Sequence, residues 1–457
     1  MSSIPARPRS AADRLPLIGH ASAQAIAAYR AGVPVSAGEL LRDVAHAAAA
    51  LPEAPHVLNL CADRYRFAVL LLAAVARGQL TLLPPTTTPN VIRELRAFAP
   101  GAYFVADDPA LAVDLPRFEL PPGSAAASWD DMPMIPSDRE VACLFTSGST
   151  GAPQPSFKTW GALCRDVRAE AARFAIAPGH AILGTVPPQH MYGFESTVLL
   201  ALVAGAALTA ERPYYPGDID AAIARVPAPR VLFTTPFHLR AWLGSEDPAA
   251  VEMIVSATAP LSLELAAEAE RRTGAQLHEV YGCTEAGQVA TRRPTVSGDW
   301  ELYAGLRLRS HEGRAVVSGG HVEEPIALQD VIEARADGVH FALHGRFSDM
   351  VNIAGKRNSL GYLNHQLASI EGVVDGVFFI PEERDQDGVT RLTAFVVAPK
   401  LSRAQVLAAL RERIDAAFLP RPLVMVEALP RQLTGKLPRA ELRALAARRR
   451  GSGPKAS

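Results

Sequence analysis

The chain has 457 residues, and its 46 Lys and Arg almost balance 47 Asp and Glu, for a net charge of −1 with histidine neutral. That balance leaves no electrostatic footprint for nucleic acid, and no apolar run reaches the length that crosses a membrane. Cys61, Cys143, Cys164 and Cys283 lie far apart without a C-x-x-C pair. This argues against a disulfide framework or zinc site and for a reducing cytoplasm.

Residues up to about Pro34 are Ala- and Arg-rich and poorly patterned. From His56 the signal sharpens. His56–Cys61 reads as a strand, Arg64–Arg77 as a helix and Gln79–Leu83 as a second strand. A helix near Val91–Phe98 and a strand at Ala102–Ala106 follow, then a Pro- and Gly-rich surface connection over 115–137. Val141–Phe145 is a further strand, and apolar residues at helical spacing recur from Trp160 to Phe174. Ala181–Val186, Val231–Thr234, Met253–Val255 and Gln276–Val280 read as strands, with helices at Phe194–Val203 and Leu261–Arg272. Short strands with turns fill Trp300–Phe341. Strands at Val373–Ile380 and Leu392–Val397 and a helix at Arg403–Phe418 form a smaller unit. Alternating strands and helices predict an α/β fold with layered, mostly parallel sheets, a small β-rich part and a small α+β C-terminal domain. The expected division is residues 1–347 and 348–457.

The stretch Thr146-Ser147-Gly148-Ser149-Thr150-Gly151 organises the rest. Its glycines let the backbone turn tightly, successive amides form an anion nest, and four hydroxyls add donors. A triphosphate is the natural guest. The stretch lacks the lysine of a nucleoside-triphosphatase P-loop, and the helical spacing beyond it predicts a strand-to-helix loop. Further along stand Pro188-Gln189-His190-Met191-Tyr192-Gly193, Ser256-Ala257-Thr258-Ala259-Pro260, Tyr281-Gly282-Cys283-Thr284-Glu285-Ala286-Gly287, and Asp330, Gly345-Arg346 and Pro430–Lys436.

In this order, the motifs resemble the adenylate-forming superfamily of acyl- and aryl-CoA ligases, peptide-synthetase adenylation domains and luciferases. The resemblance implies an acid–thiol ligase that uses ATP and Mg²⁺ to make an acyl-adenylate. The acyl group then passes to coenzyme A or to the phosphopantetheine of a carrier protein. It implies that Thr146 to Gly151 grip the β- and γ-phosphates. The usual Pro-Lys is replaced by Pro153-Gln154-Pro155, which leaves Lys158 as the candidate cation or as a solvated lysine at a helix start. Ala257, Thr258 and Ala259 would flank adenine, Tyr281 stack on it, Thr284 meet the α-phosphate and Glu285 hold Mg²⁺. Asp330 would take the ribose hydroxyls, and Arg346 would sit at the ribose and α-phosphate.

His190 and Met191, with Gly282 and Cys283, would border the acyl pocket. Amino-acid-activating relatives place a carboxylate where Met191 aligns, with Glu195 as a rival if the loop shifts; an apolar residue there would leave an ammonium unpaired. Ser348 aligns with the hinge, Gly355 and Lys356 with the loop of the thioester-forming state, and Lys436 with the catalytic lysine. The stretch Gly345–His365 is similar to compact stand-alone aryl-acid ligases of aryl-polyene and xanthomonadin-type pathways. A hydroxybenzoate-like acid, a medium-chain fatty acid, adenylate release without a thiol, and an idle nucleotide-binding protein remain open.

Overall fold

The computed structural model describes residues 13–121, 129, 131–147, 153–346, 350–353, 356–380, 392–431 and 437–450. Two large sheets dominate. One has the strand order Tyr103–Val105, His56–Asn59, Leu80–Leu83, Glu140–Ser147 and Pro153–Thr159; only its last pair is antiparallel. The other has 11 strands. Its parallel centre runs through Ile26–Arg30, Ala207–Thr209, Ala181–Gly184, Arg230–Thr234, Met253–Ser256 and Gln276–Cys283. Antiparallel strands extend it at Val33–Ser36 on one side and at Gly287–Arg292, Trp300–Leu302, His340–Arg346 and Asp330–Ala334 on the other. The α/β expectation holds.

Local chemistry sets the helices between these strands. Asp63 accepts from the Arg66 amide and Gly78 closes the far end at φ 71°, so the helix Arg64–Arg77 matches its sequence reading end for end. Phe67 to Val75 are buried on every side of it, as expected for a helix enclosed by a core. Thr159 caps Trp160–Arg173, and Ser262 and Gly274 bound Leu263–Thr273.

Several expectations change. The N-terminal region is patterned: Arg14–Pro16 pairs with Met134–Pro136, so the 115–137 connection ends in a strand. Ile26–Arg30 and Val33–Ser36 form a sheet edge, and the helix Ala37–Ala50 starts in a Ser36–Glu39 capping box. The helix expected over Arg403–Phe418 stops at Arg411, followed by a 3₁₀ turn at Ala416–Phe418 that Asp415 caps.

Beyond Arg346, Asp375–Phe379, Thr393–Val397 and Leu423–Met425 form a three-stranded sheet. It packs with the helices Leu360–Ala368 and Arg403–Arg411 around Leu363, Leu367, Phe378, Val406 and Leu410. This part has its own core. Arg240 on the helix Pro236–Trp242 donates to the Val374 carbonyl at its border.

Candidate active site

The carboxyl ends of parallel strands are where an open α/β sheet binds ligands, and the motifs gather there. Glu140–Ser147 leads into the Ser/Gly loop and Pro153–Thr159 leads out, with Ser147 opposite Pro153. The loop therefore joins two antiparallel strands; the helix begins only at Trp160. Pro153 and Pro155 hide the second strand in the sequence, and their place on a sheet edge is where proline is tolerated. Gly148, Ser149, Thr150 and Gly151 lie outside the described residues, as do the side chains of Thr146 and Ser147. Lys158 is neither solvated nor at a helix start. It is 8% exposed, and its ammonium donates to the Glu285 carbonyl at 2.7 Å.

Tyr281, Gly282 and Cys283 end one strand, Thr284–Ala286 turn, and Gly287 starts the next. A Cβ at Gly282 would lie 2.4 Å from the Gly287 carbonyl oxygen, so only glycine fits. Glu285 is exposed and Thr284 half-buried. The Tyr281 ring packs 5.7 Å from Trp300 and 5.9 Å from Phe341, and its hydroxyl donates to Asp330 at 2.7 Å. Asp330 in turn sits opposite Arg346 in the ladder, so three residues distant in sequence come together. The Cys283 thiol is pushed up to about 11, chiefly by burial, which makes it a poor nucleophile.

Ala257, Thr258 and Ala259 follow the strand Met253–Ser256, neighbour to Gln276–Cys283. Thr258 takes φ 78°, a left-handed conformation uncommon for a β-branched residue. A glycine would meet it without strain.

The loop 187–193 places His190 ahead of a short helical turn, Met191–Gly193, with both His190 and Met191 half-buried. A π-helical turn, Phe194–Leu199, follows and turns Glu195 inward to 2% exposure. It packs among Asp166, Glu170 and Gly287. Arg64 braces the strand before this loop. Fully buried, it donates to Thr197 Oγ1 and to the carbonyls of Gly184, Val186, Thr209 and Glu211.

Sequence reasoning passed over Arg64, Asp166 and Glu170, and weighed Glu195 only as a rival to Met191. A signal existed for two of them: Asp166 and Glu170 interrupt the apolar face Leu163, Val167 and Ala171 of one helix.

Ser348, Gly355 and Lys436 lie outside the described residues. The backbone of Lys356 pairs with Ile353 in a two-stranded ribbon. Arg431, the last described residue before 432–436, makes a two-pronged pair with Asp375 at 2.6 and 2.7 Å.

A family model described as AMP-binding enzyme matches residues 20–316. The chain belongs to that family, the adenylate-forming acid–CoA ligases. It is 31% identical over 311 residues to a 4-coumarate–CoA ligase of Rhodobacter capsulatus, covering 66% of this chain and 75% of that protein. It is 24% identical over 388 residues to a 3-hydroxybenzoate/4-hydroxybenzoate–CoA ligase of Thauera aromatica, covering 75% and 73%. Among solved structures, o-succinylbenzoate coenzyme A synthetase from Bacillus subtilis with ATP and magnesium superposes with a TM-score of 0.79. That match has 18% identity over 93% of this chain and 97% of the other. The fold of this adenylate-forming ligase is therefore that of its relatives.

No described helix is long and apolar enough to cross a membrane, and no cluster of three His, Cys, Asp or Glu among the described residues can hold a metal. A single exposed carboxylate at Glu285 suits a cation that arrives with triphosphate oxygens.

Proposed function

We propose that this ligase activates a hydroxybenzoate- or cinnamate-like acid with MgATP and passes the acyl group to a phosphopantetheine thiol, on coenzyme A or a carrier protein. The observation that carries the substrate class is the inward turn of Glu195. With that carboxyl buried against Asp166, the residue at the loop position is Met191, half-buried and uncharged, which supplies no carboxylate of its own for an ammonium. An amino acid would bury its charge uncompensated; an aryl acid brings none. The 4-coumarate and hydroxybenzoate specificities in the relatives' names support the same reading.

The chemistry must bring a carboxylate to the α-phosphorus of ATP while Mg²⁺-pyrophosphate leaves. Two anions meet, so charge neutralisation and in-line placement dominate the barrier. In this reading Glu285 meets the cation, Thr284 the α-phosphate, Tyr281 the adenine, and Asp330 and Arg346 the ribose side. Thr146 to Gly151 hold the outer phosphates. Lys436 bridges the attacking carboxylate and the α-phosphate. Residues 348–457 then turn about Ser348, taking Lys436 away and bringing Gly355 and Lys356 in for thioester formation.

Acid-dependent ATP–pyrophosphate exchange with 3- and 4-hydroxybenzoate, cinnamate, octanoate and several amino acids tests the acid. Exchange with an aryl acid is expected, and exchange with an amino acid overturns the assignment of Met191. Adding coenzyme A or a phosphopantetheinylated carrier protein then identifies the thiol. Lys436→Ala is expected to abolish exchange yet still convert supplied acyl-adenylate to thioester; equal loss of both steps removes that role.

A further inference from the structure

Beneath the Thr284–Ala286 turn lies a buried polar cluster to which the reaction steps above assign no part. Asp166 projects from the helix Trp160–Arg173 and Glu195 from the π-helical turn, each 2% exposed. They converge on one backbone position. A Cβ built on Gly287 would stand 2.3 Å from Asp166 Oδ2 and 3.2 Å from Glu195 Oε1. The groups facing them are Lys158 from the edge strand, Glu170 one turn along the helix, and His321, whose Nε2 lies 3.5 Å from Asp166 Oδ1. Glu170 is itself engaged: Ser196 donates to it at 2.7 Å, and the Gln288 amide and Tyr303 hydroxyl continue the chain at 3.2 and 2.7 Å.

Two ionised carboxylates in this setting would leave Glu195 Oε1 without a protein donor and Asp166 Oδ1 with only His321 Nε2 at 3.5 Å, and like charges this close in a low dielectric do not both ionise. One proton between them supplies the missing hydrogen bond and leaves a single negative charge opposite Lys158. Both ends of the turn attach to this assembly. Asp166 Oδ2 accepts from the Gln288 amide at 3.2 Å just after the turn, while Lys158 donates to the Glu285 carbonyl within it. Ser156 adds a long contact of 3.4 Å to the Thr284 carbonyl.

We propose that Asp166 and Glu195 hold one proton between them and, with Lys158, act as positioning residues that fix the Thr284–Gly287 turn for MgATP. Burial, with the Asp166 charge second, drives the Glu195 carboxyl well above the ordinary carboxylate range, in the direction this arrangement requires. Loss of the shared proton puts two like charges against Gly287 and loosens the turn. The proposal rests on the reading that this turn meets MgATP.

The test is MgATP binding by calorimetry from pH 6 to pH 10, with thermal melts over the same range, for the wild type, Glu195→Gln and Glu195→Ala. The glutamine amide donates to Asp166 as the shared proton does. Glu195→Gln is expected to bind as the wild type does at pH 7 and to retain affinity toward the alkaline end of the range, where the wild type weakens. Glu195→Ala is expected to lose at least about tenfold at pH 7. Superimposable pH profiles for the wild type and Glu195→Gln overturn the proposal, even where the alanine variant does not fold. If the wild type fails to bind MgATP at pH 7, the reading of the turn fails. The shared proton is then judged by the melts alone: a flatter alkaline decline in Glu195→Gln supports it, and equal declines overturn it.

Discussion

The Tyr281 hydroxyl donates to a carboxylate oxygen of Asp330 at 2.7 Å, joining an aromatic ring at the end of one strand to an acid 49 positions away. The bond fixes the rotamer of Asp330, which in the proposed reading takes the ribose hydroxyls of ATP. Tyr281→Phe keeps the packing on Trp300 and Phe341 but frees the carboxylate. A bond to a charged group is worth about 1.5–3 kcal/mol. The KM for ATP is therefore expected to rise roughly tenfold, with kcat for pyrophosphate exchange changed far less. Steady-state exchange at varied ATP checks this; an unchanged KM would show that Asp330 needs no such support.

Glu170 gives the molecule a titration in the neutral range. Fully buried, it is raised to about 8, mainly by burial, against hydrogen bonds from Ser196 and Gln288 that lower it. Unfolded, its carboxyl titrates near the ordinary value of about 4.3. Stability from its folded, protonated form is complete below that value and is lost as pH rises toward 8. Glu170→Gln is expected to flatten the fall in melting temperature between pH 6 and pH 8.5. An identical slope in the variant would assign the decline to other groups.

Thr258 sits in the turn after Ser256 at φ 78°, exposed and β-branched. Such a conformation costs about 1–3 kcal/mol for a residue with a side chain, partly offset by the extra freedom glycine gains when unfolded. Thr258→Gly is expected to raise stability by about 1 kcal/mol in denaturant titration. Lower stability would mean that the threonine side chain makes a compensating interaction.

How much was legible depends on how far apart the cooperating residues lie. The helix Arg64–Arg77 could be read to the residue because Asp63 and Gly78 are adjacent cap signals. The turn Thr284–Ala286 was legible for the same reason, being one contiguous motif. The strand Pro153–Thr159 was hidden because its prolines mimic a loop, and only the ladder to Glu140–Ser147 reveals it. The helix Ala37–Ala50 escaped because a run of alanines dilutes the apolar period. Asp166, Glu195 and Gln288 meet only through packing of three separate elements, and no local pattern announces that. Lys158 was noticed as a cation, but its partner, the Glu285 carbonyl, is a backbone atom that sequence does not mark.

Arg431 is the last described residue before 432–436. Its guanidinium grips Asp375 with two parallel hydrogen bonds, a geometry that specifies direction as well as proximity. Asp375 begins a strand of the C-terminal sheet, so the pair ties Arg431 to a rigid element. Lysine at 431 would keep the charge and lose the fork. Under the role proposed for Lys436, misplacing it should slow the step it serves and spare the other. Arg431→Ala is expected to reduce pyrophosphate exchange roughly 10- to 100-fold, since small displacements of a catalytic group carry penalties of that order. Thioester formation from supplied acyl-adenylate should change less than about twofold, because Lys436 is withdrawn in that step. Arg431→Lys should fall between. The two half-reactions measured side by side decide it: equal loss of both would make the Arg431–Asp375 pair a brace for the whole C-terminal part and not for the approach of Lys436.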